Sequence, residues 1–419
     1  MVIESLKYKI LQQFGFTPTQ EQGQALDTFV SFLTDRDPQA VMILRGSAGT
    51  GKTSLSGAIV RTLLQIRQKV MLLAPTGRAA KVFSLGSGAP AYTIHRRIYR
   101  EKAFAGVDGQ FSLNDNLYTD TLFMVDEASM IANMGLGGTT FGSGCLLDDL
   151  VKFVYQGHND RLLLIGDKAQ LPPVGEEESP ALSASVMEGY GLKVYECDLK
   201  EVLRQRQSSG ILYNATLIRQ MITHDAVTGL PLIRFKGFAD IVMMPGAELV
   251  ESLGDSYHHV GMDETMVITR SNKRANIYNN GIRNMVLDRE EELSSGDMLM
   301  IVKNNYFWTE KEKKESGEGS AGAVPAFLAN GDRAKVLRVS NYIELYGFRF
   351  ATLLLQLPDY DDYEMQVTGM LDTLQSEAPA LTHEQQEELF RQVEEDYQHF
   401  VPLKADRMKS IRQDAYFNA

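Results

Sequence analysis

The octapeptide Gly46-Ser47-Ala48-Gly49-Thr50-Gly51-Lys52-Thr53 fits the phosphate-loop pattern G-x-x-x-x-G-K-[ST] and constrains the fold more than any other stretch of the chain. Its flanks agree with it. Val41-Met42-Ile43-Leu44 is a short apolar run suited to a buried parallel strand, and Leu55, Ile59 and Leu63 follow at helical spacing with no proline between them. In the order strand, glycine-rich loop, helix, backbone N–H groups can turn inward around phosphate oxygens, and the helix N-terminus adds positive potential. Lys52 then reaches the β- and γ-phosphates, and the Thr53 hydroxyl becomes a ligand for Mg²⁺. Gly46, Ser47, Ala48, Gly49, Thr50, Gly51, Lys52, Thr53 and Ser54 are the candidate nucleotide contacts.

At 419 residues the chain is too long for one ordinary core, so two or three domains are expected. A hydrophobic content of 44% and a charged content of 23% are those of a soluble globular protein. No apolar run is long enough to span a bilayer, and Met1-Val2-Ile3-Glu4-Ser5 has no signal-peptide pattern. Cys145 and Cys197 are too few for a disulfide framework or a cysteine zinc site, so a cytoplasmic location is the default expectation. The net charge of −12 argues against a polyanionic partner only as a bulk figure. Residues 357–399 hold twelve carboxylates against the single Arg391, which leaves the remainder close to neutral.

The first forty residues read as helices, with a start signal at Thr17-Pro18-Thr19. Gln22 on the second helix is either a solvated side chain or a reader of the adenine edge, and spacing leaves both open. Val70-Met71-Leu72-Leu73-Ala74 is a second buried strand running into Pro75-Thr76-Gly77-Arg78-Ala79-Ala80-Lys81, a turn that opens a basic helix. At the carboxyl end of a parallel strand, Thr76, Lys81 and backbone amides can hold a second polyanion or form an ordinary connection. Thr93-Ile94-His95-Arg96-Arg97 adds another basic element, in which His95 alone reads as structural. Turn signals within 99–118 predict a small hairpin projecting from the sheet.

Leu122-Phe123-Met124-Val125-Asp126-Glu127 is an apolar strand ending in two carboxylates. In a phosphate-loop protein Asp126 holds the Mg²⁺ shell, and Glu127 orients and deprotonates the attacking water. A fourth strand, Arg161-Leu162-Leu163-Leu164-Ile165, leads to Gly166-Asp167-Lys168-Ala169-Gln170, where Gln170 is placed to sense the γ-phosphate. Glu176-Glu177-Glu178 mark the edge of the first domain. Beyond them, Arg204 is either a surface base or an arginine reaching across a cleft to the transferring phosphoryl group. Met266-Val267-Ile268-Thr269-Arg270-Ser271-Asn272 predicts a strand with polar residues at its carboxyl end. Short alternating runs at 298–302, 333–339, 342–350 and 352–355 predict a small barrel, interrupted by a disordered loop at 310–322. His258-His259 lacks metal-ligand spacing and reads as structural.

The ordered segments G-S-A-G-T-G-K-T, A-P-T-G-R-A-A-K, T-I-H-R, D-E-A-S, G-D-K-A-Q-L-P-P-V-G and L-K-E-V-L-R-Q resemble the motifs of superfamily 1 DNA helicases that move 5′→3′. The branch is that of the Pif and RecD-like enzymes, nearer to the small single-motor Pif helicases. G-D-M-L-M-I-V-K-N-N and N-G-D-R-A-K-V match further along, so the likeness covers nearly the whole chain. It implies an α/β fold with two RecA-like P-loop NTPase domains, a small β-hairpin wedge and an SH3-like β-barrel insertion. The implied boundaries are 1–178 for the first domain with the wedge at about 99–118, 179–294 plus 401–419 for the second, and 295–400 for the insertion. ATP and Mg²⁺ would sit between the domains, with single-stranded DNA across their top. By this resemblance Gln22 contacts adenine, Lys52 the phosphates, and Thr53 with Asp126 the Mg²⁺. Glu127 is the catalytic base, Gln170 the γ-phosphate sensor and Arg204 an arginine finger. Pro75, Thr76 and His95 fall in motifs that line the DNA path, and Gly77, Arg78 and Asn272 join them as candidate DNA contacts.

The activity implied is ATP-driven translocation on single-stranded DNA and unwinding of tailed duplexes by a monomer. The rivals are a RecD-like motor subunit of a nuclease complex and a nucleic-acid-binding ATPase clamp that does not unwind. Family members continue after a segment like Arg412-Gln413-Asp414-Ala415-Tyr416-Phe417-Asn418-Ala419 into a T-x-H-K-x-Q-G and a Y-V-A-x-[ST]-R-A motif, and neither is in the sequence. The expectation is therefore a truncated motor that binds nucleotide, responds weakly to DNA and tends to aggregate.

Overall fold

A computed structural model describes residues 2–103, 110–134, 142–201, 209–223, 229–302, 305–316, 324–325, 327–374 and 381–419. In it the apolar run before the phosphate loop forms β1 (Ala40–Gly46), buried along its whole length. Val41 and Ile43 join the core on one face of the sheet, while Met42 and Leu44 join the core on the other. A strand covered on both faces belongs in the middle of a parallel sheet, and that is where β1 lies. The chain divides into two compact units, Met1–Val242 and Met243–Ala419.

The first unit adds β2 (Lys69–Ala74), β3 (Ala91–Thr93), β4 (Tyr99–Ala103), β5 (Gln110–Leu113), β6 (Thr121–Val125), β7 (Arg161–Gly166) and β8 (Lys193–Leu199). Six of these strands make one sheet in the order β3-β2-β6-β7-β1-β8, every neighbour parallel. One face is covered by the helices Val2–Phe14, Gln20–Leu33 and Lys52–Gln65, with Ile10, Phe29, Phe32 and Leu55 at its centre. The other face packs Phe123, Leu150, Phe153 and Leu182. Each fully buried side chain of this size contributes about 1.5–3 kcal/mol. The second helix starts where the sequence predicts, with Thr19 and Gln22 forming a reciprocal capping box.

The sheet does not end at the boundary expected near 178. β8 pairs with β1 from Ala40↔Lys193 to Gly46↔Leu199 and completes it. The cause is visible in Arg45, which is buried because it is paired. Its guanidinium donates to Asp198 at 2.7 Å, to Glu196 at 2.8 Å and to the Leu182 carbonyl at 3.1 Å. The predicted hairpin is present as β4 and β5, antiparallel from Tyr99↔Leu113 to Ala103↔Gln110. Its tip, 104–109, lies outside the described residues.

The second unit has β9 (Met298–Met300), β10 (Arg333–Leu345), β11 (Phe348–Leu357) and β12 (Tyr363–Met370), an antiparallel sheet in the order β12-β11-β10-β9. Among the described residues it is a four-stranded sheet with two distinct edge strands, and the barrel that the alternation predicts does not close. β10 runs through two of the expected short strands because irregularities at Val336/Arg338 and Ser340/Ile343 bend it without ending it. The expected disordered loop begins as a helix, Phe307–Ser316, anchored where the buried Trp308 indole donates to the Asn418 carbonyl at 3.0 Å. Residues 401–419, expected with a second α/β domain, pack on this sheet instead, with Ile411 in one cluster with Phe348 and Phe350.

The second RecA-like domain is expected over 179–294 plus 401–419, and residues 243–294 fall in the second unit. Among the described residues there is only one parallel sheet, and this region forms the helices Leu249–His259 and Asn272–Met285 joined by unpaired segments. Among the described residues the predicted strand at 266–272 pairs with no other strand, and Met266 and Ile268 are 82% and 88% exposed. An extended segment with no ladder is not a strand, whatever its pattern. Asp297 ties the second of these helices to β9, taking Arg283 at 2.9 Å and Arg289 at 2.6 Å. Among the described residues no helix is long and apolar enough to cross a membrane.

Candidate active site

Three strand ends meet because the order β6-β7-β1 places them side by side, and ligands of parallel sheets bind at such carboxyl ends. From β1 the chain enters the loop at Gly46, where a Cβ would lie 2.8 Å from Thr50 Oγ1 and 2.9 Å from Leu199 Cβ. Only glycine fits there. Gly49 and Gly51 hold φ of 83° and 84°, which glycine adopts at little cost. Thr50 Oγ1 donates to the Ser47 carbonyl at 2.8 Å and fixes the curl of the loop. Lys52 opens the following helix, and its Nζ donates to the carbonyls of Gly46 at 2.6 Å and Ser47 at 2.9 Å. Ala48 and Thr53 are exposed, and Ser54 is half-buried.

From β6 come Asp126 and Glu127. The Asp126 N–H donates to the Leu73 carbonyl at 3.0 Å, and the Glu127 N–H donates to Asp126 Oδ1 at 2.9 Å. Glu127 sits in the left-handed region, at φ 52° and ψ 36°, a conformation that costs a non-glycine residue on the order of 1–2 kcal/mol. Strain of this kind clusters where function demands it. From β7 comes the buried Asp167, whose Oδ1 accepts the Ala169 N–H at 3.0 Å and whose carbonyl accepts the Gln170 N–H at 3.2 Å. The loop so folded sets the Gln170 amide between two partners. Ser129 Oγ donates to its Oε1 at 3.2 Å, and Gln170 also tempers the raised Glu127 carboxyl.

The electrostatics follow from burial and crowding. Desolvation holds the Lys52 ammonium below its ordinary value, while the charges of Asp167, Asp126 and Glu127 work against that shift. Burial raises the Asp126 carboxyl. It also raises Glu127, with Asp126 adding to the effect. One lysine against three carboxylates in a water-poor corner is an arrangement short of positive charge. A further cation is supplied by the helix Gly210–Thr223, whose Arg219 donates to both oxygens of Asp167, at 2.9 and 2.7 Å. Sequence reasoning missed Arg219 and Ser129. Arg219 is separated from Asp167 by 52 residues, and nothing in its own helix singles it out.

Gln22 is only 1% exposed, and both ends of its amide are engaged by protein. Its Nε2 donates to the Thr50 carbonyl at 3.0 Å, and its Oε1 accepts the Thr19 N–H at 3.0 Å. It braces the phosphate loop against the second helix. Of the candidate DNA contacts, Pro75 and Thr76 lie at the carboxyl end of β2, next to β6 in the sheet. Thr76 caps the helix Gly77–Ser87 by accepting the Ala79 N–H at 3.2 Å, while Gly77 is buried and Arg78 exposed. His95 follows β3, with its ring 5.7 Å from that of Tyr99, and burial favours its neutral form. Arg97 stacks over Tyr92 at 4.4 Å, an aromatic–basic pair the sequence reading did not single out. Asn272 belongs to the second unit, at the start of its own helix. Arg204 lies outside the described residues.

The residues present fit a magnesium-bound nucleoside triphosphate. A loop that excludes any Cβ at Gly46, two glycines in the left-handed region, a helix N-terminus, one lysine and two consecutive carboxylates form the donor set such a ligand requires. Fold and site together define a P-loop nucleotide hydrolase domain. Residues 18–229 match the family described as AAA domain, and the chain belongs to that family. The chain is also similar to proteins named as DNA helicases. It is 30% identical over 157 residues to the ATP-dependent RecD2 DNA helicase of Deinococcus radiodurans, a match covering 37% of this chain and 18% of that protein. It is 25% identical over 267 residues to the ATP-dependent DNA helicase dda of Enterobacteria phage T4, covering 62% of this chain and 55% of that one. Among solved structures, a Pif1 helicase from Bacteroides in complex with ADP-AlF3 and ssDNA aligns with a TM-score of 0.37 at 14% identity, covering 84% of this chain and 74% of that one. The chain thus spans 18% and 55% of the two curated relatives.

Proposed function

We propose that this chain is the motor core of an ATP-dependent DNA helicase that moves 5′→3′ on single-stranded DNA and unwinds tailed duplexes. The observation that carries the reading is the convergence of Lys52, Asp126, Glu127 and Gln170 from three adjacent strand ends of one sheet. The residues at 46–54 would hold ATP, with Thr53 and Asp126 on Mg²⁺. When bound, ATP would supply the phosphoanhydride bond whose hydrolysis drives movement, and Mg²⁺ would offset the phosphate charge. Lys52 Nζ, already facing loop carbonyls, offers its positive charge to phosphate oxygens. The Glu127 carboxylate, made more basic by burial, takes a proton from water. Gln170, hydrogen-bonded to Ser129 and close enough to Glu127 to temper its charge, would register what occupies the site. Arg204 would act as an arginine finger on the transferring phosphoryl group.

Single-stranded DNA would run over Pro75, Thr76, Gly77, Arg78 and His95, with Asn272 as a contact from the second unit. The β4–β5 hairpin would act as the wedge, and the open antiparallel sheet would take the place of the SH3-like insertion in a cytoplasmic, monomeric enzyme. The relatives, both named ATP-dependent DNA helicases, support this reading. A clamp that hydrolyses ATP without unwinding is the second reading, favoured by the unpaired segment around Met266 and Ile268. Duplexes with a 5′ or a 3′ single-stranded tail separate the two. Strand separation from the 5′-tailed duplex alone is the expected result, whereas ATP hydrolysis with neither duplex opened supports the clamp.

A further inference from the structure

Arg219 has no part in the roles assigned above, yet it makes a well-formed contact with the site. Its Nη1 and Nη2 donate in parallel to Asp167 Oδ1 at 2.9 Å and Oδ2 at 2.7 Å, a fork that fixes both partners in one plane. The Asp167 side chain is 4% exposed and that of Arg219 32%. The carboxylate gripped in this way is the one that folds the Gln170 loop, since Asp167 Oδ1 also accepts the Ala169 N–H at 3.0 Å. It is also the carboxylate whose charge acts most strongly on Lys52. Asp167 therefore answers to the phosphate lysine, the sensing loop and Arg219 together.

The far side of Arg219's helix is equally fixed. Asp240 accepts the Gly210 N–H at 2.7 Å and Ser209 Oγ at 2.6 Å, holding the helix at its N-terminus. Asn214 exchanges hydrogen bonds with the Arg234 backbone, at 2.9 Å to its carbonyl and 2.8 Å from its N–H. A side chain at Gly210 would strike Phe238 and Ile241. The helix and residues 229–241 thus form one braced piece, and from it the chain passes at Val242 into the second unit. While the fork holds, the Gln170 loop and this piece cannot move independently.

We propose that the Arg219–Asp167 pair is a mechanical link between the γ-phosphate-sensing loop and the helix Gly210–Thr223, which makes Arg219 a positioning residue that carries nucleotide state into the chain leading to the second unit. The proposal rests on the ATP-site reading given above. The test uses the full chain and two probes, ADP and a non-hydrolysable ATP analogue, with hydrogen exchange of residues 210–223 as the readout. In the wild type, exchange in the helix differs between the two probes. Arg219→Gln removes that difference, leaves ADP affinity within about threefold and lowers kcat by about tenfold or more with little change in KM. Arg219→Lys, which keeps the charge but not the fork, falls between them, and it carries the same comparison if Arg219→Gln melts early. Asp167→Asn combined with Arg219→Gln is no worse than the more damaging single change, because both break one link. A helix that still distinguishes the probes in Arg219→Gln overturns the proposal, as do fully additive effects or ADP affinity lost in step with kcat. A wild-type chain that binds neither probe refutes the ATP-site reading itself. One that binds both, with Arg219→Gln unaltered, refutes the link alone.

Discussion

Gln22 Nε2 donates to the Thr50 carbonyl at 3.0 Å, linking the second helix to the phosphate loop across 28 residues. The other end of the same amide is committed to Thr19, so the side chain acts as a brace. Gln22→Leu strands a buried carbonyl and a helix-capping N–H, at a cost of about 1–3 kcal/mol in stability. The loop that loosens serves any nucleoside triphosphate, so affinity for ATP and for GTP should fall by the same factor. Denaturant unfolding together with titrations of both nucleotides checks this. A loss confined to ATP would give Gln22 the adenine-reading role instead.

Glu127 is the second case. Burial, Asp126 and Asp167 hold its carboxyl above the ordinary 4.5, with Lys52 and Gln170 opposing. A carboxyl whose folded value exceeds its unfolded one costs stability when ionised, and the cost is relieved as pH falls through the folded value toward 4.5. Glu127→Gln removes the cost, so this variant should melt above the wild type at neutral pH, with the gap closing on acidification. It would be a site that gives up stability for function. Equal Tm at neutral pH, or a gap that widens toward acid, contradicts this assignment.

The paired strands β4 and β5 carry the third prediction. Their register is held at the base by Tyr99↔Leu113, and Tyr99 donates to the buried Asp149 at 2.7 Å. Replacing 104–109 by a short Gly-Ser turn should therefore leave the base and the sheet intact. DNA-stimulated ATP hydrolysis should stay within about twofold of the wild type, while strand separation falls by about tenfold or more. Unwinding that survives the replacement removes the wedge role from this hairpin.

Most of the first unit was legible because its signals are local. The loop glycines, the apolar strands ending in Asp126-Glu127 and in Gly166-Asp167, and the cap at Thr19 each declare themselves within about ten residues. What escaped depends on distance. β8 shows mixed polarity because it is an edge strand, and it is recruited by Arg45 through Glu196 and Asp198. Arg219 meets Asp167 only in the folded chain. The failures in the second unit have another cause. Pattern alone cannot supply a partner strand, so the run around Met266 and Ile268 stays unpaired. Nor can it tell two short strands from one long, bulged β10.

The central claim is that Lys52 binds and Glu127 reacts, and equilibrium nucleotide binding measured beside turnover tests it most directly. Lys52→Ala takes away the loop's own cation, so ATP affinity should fall by about tenfold or more. Glu127→Gln keeps the shape and loses only the base. ATP affinity should then stay within about threefold while kcat drops by about 10²–10⁴. Equal loss of binding in the two variants, or turnover that persists in Glu127→Gln, would contradict the account.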